Sequence, residues 1–270
     1  LMTACKKTSL VEETPVAGDP NVSAGLRHCA AQEVLELQLK ADPSLAGRMN
    51  AIEEFTKRFE QNPSAYRLVN GIIEIPVVVN VLYKTTAQNI SAAQIQSQID
   101  VLNKDFSATN SDYSLTPSAF QAVRSGDITV RFVLDQVIRK STTKTSWSTN
   151  DAVKKTASGG LNPTSPTTKL NLWVCNLSGG ILGYAQFPGG SSATDGVVID
   201  DNAFGTTGTA AAPFNKGRTA THEIGHWMNL RHIWGDATCG SDLVGDTPAH
   251  NTANYGCPTY PHLSTCSGTP

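Results

Sequence analysis

The spacing of apolar residues along this chain changes several times, and each change marks an element. Across residues 24–62, Val34, Leu35, Leu37 and Leu39, then Ile52, Phe55 and Phe59, fall at mixed three- and four-residue steps, which predicts helix. Asp42-Pro43-Ser44 divides that block into two helices. Residues 6–22 are polar, carry Pro15, Gly18 and Pro20, and read as a tether. Ile73 to Tyr83 is almost continuously apolar, the pattern of a strand inside a core. Ser91 then caps a helix with Ile95, Ile99, Leu102 and Phe106 along one face. Ile128 to Val137 alternates apolar and polar residues and predicts a second strand; a short helix follows near Asn150–Thr156. Leu170–Leu177, Leu182–Phe187 and Gly196–Ile199 add three more strands. After a Gly-, Thr- and Ala-rich loop at Gly205–Pro213, a last helix begins near Lys216, with Asn215 as its cap. Strands alternating with helices predict an α+β chain, a mixed sheet packed on helices.

The last helix carries the chemistry. His222-Glu223-Ile224-Gly225-His226 is followed by Trp227-Met228-Asn229-Leu230-Arg231-His232, or H-E-x-x-H-x-x-N-x-x-H. Histidines four apart lie one turn apart on one helix face and reach the same metal. A third follows six residues on. For His232 to approach that metal the helix must end and reverse, which needs a left-handed residue. Asn is the second choice after Gly, and Asn229 stands at the required place. His222, His226 and His232 are the expected zinc ligands and Glu223 the general base. Three protein ligands leave the fourth position to water, as in a zinc hydrolase. A gluzincin takes its third ligand from a Glu on a later helix, whereas His232 supplies it here. A non-catalytic, adhesin-like surface module on the same fold is the competing reading; four intact site residues argue against it.

This run resembles the metzincin signature H-E-x-x-H-x-x-G-x-x-H, with Asn229 in place of Gly. The longer stretch H-E-I-G-H-W-M-N-L-R-H-I-W-G-D is similar to the pappalysin or cytophagalysin (M43-like) group. So are C-G-S-D-L-V-G-D-T-P from Cys239 to Pro248 and Gly256-Cys257-Pro258. The resemblance implies a five-stranded twisted mixed sheet above the active-site helix. Leu182–Phe187 is then the antiparallel strand bordering the cleft, and it binds an extended peptide by strand addition. The chain is expected to divide into a lipobox remnant and tether at 1–22, a helical pro-segment at 23–70 and a catalytic domain, truncated at its C-terminal end, at 71–270. Metzincins place a methionine turn beneath the zinc, but the methionines here are Met2, Met49 and Met228. The expectation is therefore a chain largely without its C-terminal subdomain, with weak or absent activity.

The charge of −2 leaves no nucleic-acid footprint, and no long apolar run exists to span a membrane. Cys5, after Leu1-Met2-Thr3-Ala4, resembles the acylated cysteine of a bacterial lipoprotein, which makes the protein lipid-anchored or secreted. Either route leads to a compartment where disulfides form. The family resemblance implies Cys239–Cys266, with Cys257 bonding a cysteine beyond Pro270. Spacing leaves Cys239–Cys257 and Cys257–Cys266 open. Asp242, Asp246 and Thr247, with Gly240 and Gly245, form an oxygen-rich loop where related pappalysins bind calcium; a turn capped by its own Asp side chains is the alternative. Cys29, in the pro-segment run Arg27-His28-Cys29, is a candidate latency switch whose thiolate fills the open zinc position. A free buried thiol, or a disulfide with Cys175, is the alternative. Cys175 itself reads as a core residue.

Overall fold

The computed structural model describes residues 27–61, 71–255, 258–259 and 261–269. Cys5, the tether at 6–22 and Cys257 lie outside the described residues. The elements run β1 (His28–Cys29), α1 (Ala31–Ala41), α2 (Ser44–Gln61), β2 (Ile73–Tyr83), α3 (Ala92–Phe106), β3 (Val130–Ser141), β4 (Leu170–Cys175), β5 (Ile181–Ala185), β6 (Val197–Asp200) and α4 (Arg218–Trp227), with short 3-10 turns between them.

One sheet, in the order β1-β5-β6-β4-β2-β3, organises the chain. β3, β2, β4 and β6 run parallel, and β5 is antiparallel to β6. Parallel strands covered on both faces read as unbroken apolar runs. β2 follows that rule. Val77, Val79 and Val81 face a core shared with Ile95, Ile99 and Leu102 of α3 and Ala220 and Ile224 of α4. Leu82 turns to the opposite core with Trp173, Cys175, Tyr184 and Val198. Cys175 is fully buried and free. Ser91 caps α3 by accepting from the Gln94 N–H.

The sheet has six strands rather than five. The sixth, β1, is only two residues long, too short to leave any periodicity, and it pairs parallel with β5. The outer edge of β5, expected open to a peptide, is thus covered by the N-terminal segment. β3 begins at Val130 rather than Ile128, because the Asp127 carboxylate accepts from the Thr129 N–H and Thr129 is left-handed. It continues to Ser141 by pairing with β2 along its whole length. The Asn150–Thr156 region forms two 3-10 turns, Ala152–Lys154 and Thr156–Ser158. The two N-terminal helices divide at Asp42-Pro43, with Ser44 already in α2. Leu35, Leu45 and Met49 of these helices bury Phe187, just beyond β5.

Candidate metal centre and peptide cleft

The helix bearing His222 starts at Arg218, and its cap is Gly217 in the left-handed region (φ +68°), not Asn215. Gly217 is placed by Gln98 of α3, whose amide donates to the Gly217 carbonyl at 2.9 Å. A side chain there would press on Val101, so glycine serves both the φ and the close approach. Arg218 pairs with Asp105 of α3 (3.1 Å) and with Asp112 in the segment after α3 (2.6 Å), fixing the first turn of α4 to both.

The other end of α4 turns as its sequence requires. Asn229 has φ +77°. Its N–H reaches the His226 carbonyl, and the Leu230 N–H reaches the Gly225 carbonyl, both at 2.9 Å. These are the two bonds of a Schellman ending, with Asn229 at the left-handed position. The Asn229 amide also donates to Glu53 of α2 at 2.9 Å.

That reversal brings the three histidines together. The Nε2 atoms of His222, His226 and His232 lie 3.0, 3.2 and 3.3 Å from one another. His226 Nδ1 meets the Leu230 carbonyl and His232 Nδ1 meets Asp236 Oδ1, each at 2.7 Å. Both acceptors require the proton on Nδ1, so both Nε2 atoms present lone pairs. Burial pushes His222 down to about 2 and His226 down to about 4, so both stay neutral. The Nε2 lone pairs of His226 and His232, on atoms 3.2 Å apart, cannot bond one another; a cation satisfies both, and His222 Nε2 completes the triangle around it. Tetrahedral ligands at a zinc–nitrogen distance of about 2.0–2.1 Å stand about 3.3 Å apart, so the triangle fits that ion. Trp234 stacks on the His232 ring at 4.4 Å and steadies its plane.

Glu223 is fully buried beside this point. Burial, the largest influence, raises its carboxyl to about 8. Gly183 of β5 makes room: a Cβ there would stand 3.0 Å from Glu223 Cγ and 2.8 Å from the Val198 carbonyl. Cys29, paired opposite Gly183, puts its Sγ 3.4 Å from Glu223 Oε2. Among the described residues, Cys29, His222, His226 and His232 form the cluster able to hold a metal, their ligand atoms within 4.8 Å of one another. Burial, then the Glu223 charge, raises the Cys29 thiol well above its ordinary range, while the Ala31 N–H supports the sulfur at 3.4 Å. Cys29 and Cys175 are both free, so they do not pair.

Downstream, Cys239 and Cys266 are bonded. Asp242 Oδ1 accepts from the Val244 N–H, so the turn caps itself. The metal-capable cluster of His, Cys, Asp and Glu among the described residues does not include Asp242 or Asp246. Gly183 and Asp236 went unread in the sequence. Asp236 had a signal, since it stands four residues after His232, within reach of that ring's far nitrogen.

Residues 166–270 match the Peptidase_M43 family model, described as Pregnancy-associated plasma protein-A. An extracellular metalloprotease of Pyricularia oryzae is 31% identical over 252 residues, covering 89% of this chain and 72% of that protein. The chain belongs to the M43 metallopeptidase family. A second extracellular metalloprotease, from Verticillium alfalfae, is 31% identical over 68% of this chain and 63% of its own length. Among solved structures, this M43 chain resembles mirolysin in complex with compound 9 (46% identity, TM-score 0.70, 74% of this chain and 80% of that one). It also resembles a promirolysin variant from Tannerella forsythia (40% identity, TM-score 0.77, 90% of this chain and 83% of that one). Relatives named as proteases favour a hydrolytic site over a non-catalytic module.

Proposed function

We propose that residues 71–270 are the catalytic domain of a zinc-dependent extracellular endopeptidase of the metzincin type, and that residues 23–70 are its pro-segment. The observation carrying this reading is the convergence of three imidazole Nε2 atoms beside the buried Glu223 carboxyl and next to a strand able to pair with a peptide. Zinc held by His222, His226 and His232 supplies a Lewis acid that lowers the pKa of water and polarises a carbonyl. With the charge of zinc beside it, Glu223 would be held as a carboxylate against the upward push of burial, and its Oε2 would then take the proton of the attacking water and return it to the leaving amine. Gly183 lets that carboxyl lie close under the edge strand. Leu230 and Asp236 hold the imidazoles in the tautomer that leaves Nε2 free.

Cys29 Sγ lies within 4.8 Å of the three histidine nitrogens, so with zinc bound it would fill the position otherwise open to water. Three nitrogens and one sulfur would then close the ligand set, as in non-catalytic zinc sites. β1 meanwhile occupies the edge of β5 where a substrate strand pairs. Latency on this reading has a chemical part and a steric part. The extracellular names of the relatives support a site outside the cytoplasm. Anchoring through a lipid on Cys5 is the finer form of that proposal.

The test is zinc content followed by cleavage of denatured protein, in the wild-type chain and in Glu223→Gln. The variant is expected to keep its zinc and lose at least ~10²-fold in hydrolysis. Wild-type turnover in Glu223→Gln removes the general base; zinc without cleavage in the wild type, after limited proteolysis has released the N-terminal segment from β5, favours the binding module.

A further inference from the structure

Three residues beyond Gly183, β5 hands over to Gln186, and here α1 inserts a side chain into the cleft wall. Gln38 Nε2 lies 3.3 Å from Gln186 Oε1 and 3.4 Å from Asp151 Oδ2. Both contacts exceed the usual 2.7–3.2 Å range of N–H···O bonds. The other half of the amide fares worse: Gln38 Oε1 is buried with no hydrogen-bond partner. An amide is therefore a poor occupant of this position.

The floor of the position is fixed and presents acceptors. Gln186 is 1% exposed. Its Nε2 donates to the Ser191 carbonyl at 2.9 Å and its Oε1 accepts from Thr194 at 2.6 Å, so the amide orientation is set. Asp151 is held from behind by Lys154, whose Nζ is 3.0 Å from Oδ1. That ammonium also donates to the Thr194 carbonyl at 2.7 Å and lies over the Tyr184 ring at 5.0 Å. Asp195 is a second carboxylate close enough to act on Lys154, so one buried ammonium serves two carboxylates. Asp151 Oδ2 and Gln186 Oε1 are left facing α1, and a group with donors and no acceptor satisfies both without stranding an oxygen.

We propose that Asp151 and Gln186 form a substrate subsite for a cationic side chain, lysine or arginine, which Gln38 plugs imperfectly in this form. It rests on the protease reading and on departure of the N-terminal segment from β5. At about 3.3 Å per strand residue, Gln186 is about 10 Å from Gly183. The subsite thus reads a side chain about three residues from the scissile bond.

Two measurements test it. The first needs no catalysis. In the full chain, Gln38→Lys gives the plug only donors and Gln38→Met gives it none. The thermal midpoint of Gln38→Lys is expected to exceed that of Gln38→Met by several degrees, and the gap to close when Asp151→Asn is added. A Gln38→Lys midpoint at or below that of Gln38→Met overturns the subsite. The second uses the zinc-loaded full chain and a peptide set in which lysine replaces norleucine one position at a time, with products read by mass spectrometry. One position two to four residues from the cut is expected to gain about tenfold in kcat/KM. Cleavage with no lysine preference at any such position overturns the proposal. If no peptide is cut, the same set is read after limited proteolysis has released the N-terminal segment; if still none is cut, the protease reading fails, and the Gln38 comparison still decides whether Asp151 and Gln186 bind a cation.

Discussion

Replacing Asn229 by alanine and by glycine separates two jobs done by one residue. Its backbone, at φ +77°, ends α4 and turns the chain toward His232. Its side chain donates to Glu53 of α2. A left-handed conformation costs an ordinary L-residue about 1–2 kcal/mol, and costs glycine almost nothing. A partly exposed hydrogen bond contributes about 0.5–1.5 kcal/mol. Asn229→Gly loses only the bond to Glu53, whereas Asn229→Ala loses it and adds the backbone strain. The strain lies between His226 and His232, so it is relieved when the third ligand swings away. It therefore appears in metal binding, at about 1–2 kcal/mol, which is about a 5- to 30-fold weaker zinc affinity for alanine than for glycine.

The assay is zinc competition against a chromogenic chelator, run beside urea unfolding of both variants. Glu53→Gln provides the control. It weakens the side-chain contact and leaves the turn alone, so its stability loss is expected to resemble that of Asn229→Gly, with metal affinity unchanged. Equal zinc affinity for Asn229→Ala and Asn229→Gly refutes the reasoning, because the left-handed turn then has no part in placing His232.

Cys29→Ala is expected to keep the metal on three nitrogens and to abolish the thiolate charge-transfer band of the cobalt-loaded chain; persistence of that band in the variant excludes Cys29 as a ligand. Asp236→Asn weakens the hold on the His232 tautomer, and a 10- to 100-fold loss of zinc affinity, about the usual effect of removing such a partner, is expected in the same chelator assay. Asp201 is pushed up to about 6, first by burial and then by Asp200, so the folded state keeps its proton where the unfolded chain has lost it. Stability falls as pH rises from about 4 to about 6 and stays lowered above that. Asp201→Asn should therefore stabilise the chain by about 1–2 kcal/mol at pH 7, allowing for solvent at the carboxylate, and by nothing at about pH 3.5. Equal gain at both pH values, measured by urea unfolding, removes the titration as its cause.

Elements legible in the sequence were those whose own residues decide them. β2 was readable because both of its faces are buried, so Val77, Val79 and Val81 and, on the other side, Leu82 all had to be apolar. α3 was readable from one stripe and Ser91. Asn229 was readable because its φ is a local demand that few residue types meet. Asn215 misled because a polar residue before an apolar run is a cap only if the chain starts there. Gln98, distant in sequence, selects Gly217 instead. Gly183 was invisible for the same reason: its lack of a side chain has meaning only once Glu223 and Val198 are seen to press against it.

The covered edge of β5 was the least legible feature of all. In the sequence, His28-Cys29 is a dipeptide without period, and its strand exists only because β5 offers unpaired backbone groups. The His28 N–H bonds the Gly180 carbonyl at 3.2 Å and the Ala30 N–H bonds the Gly183 carbonyl at 3.0 Å. Backbone bonds of about 1 kcal/mol each along a two-residue strand do not hold a segment against solvent unaided. Further hold comes from Leu35, Leu45 and Met49 on Phe187, from Ala30 and Val34 in the second core, from the Arg27–Asp200 ion pair, from the Arg48 Nε bond to the Gly189 carbonyl at 2.6 Å, and from Glu53 on Asn229. On the protease reading proposed above, these contacts lie where a substrate strand would also bind, so the segment and a peptide would compete for one surface, with Cys29 standing nearest the three histidines.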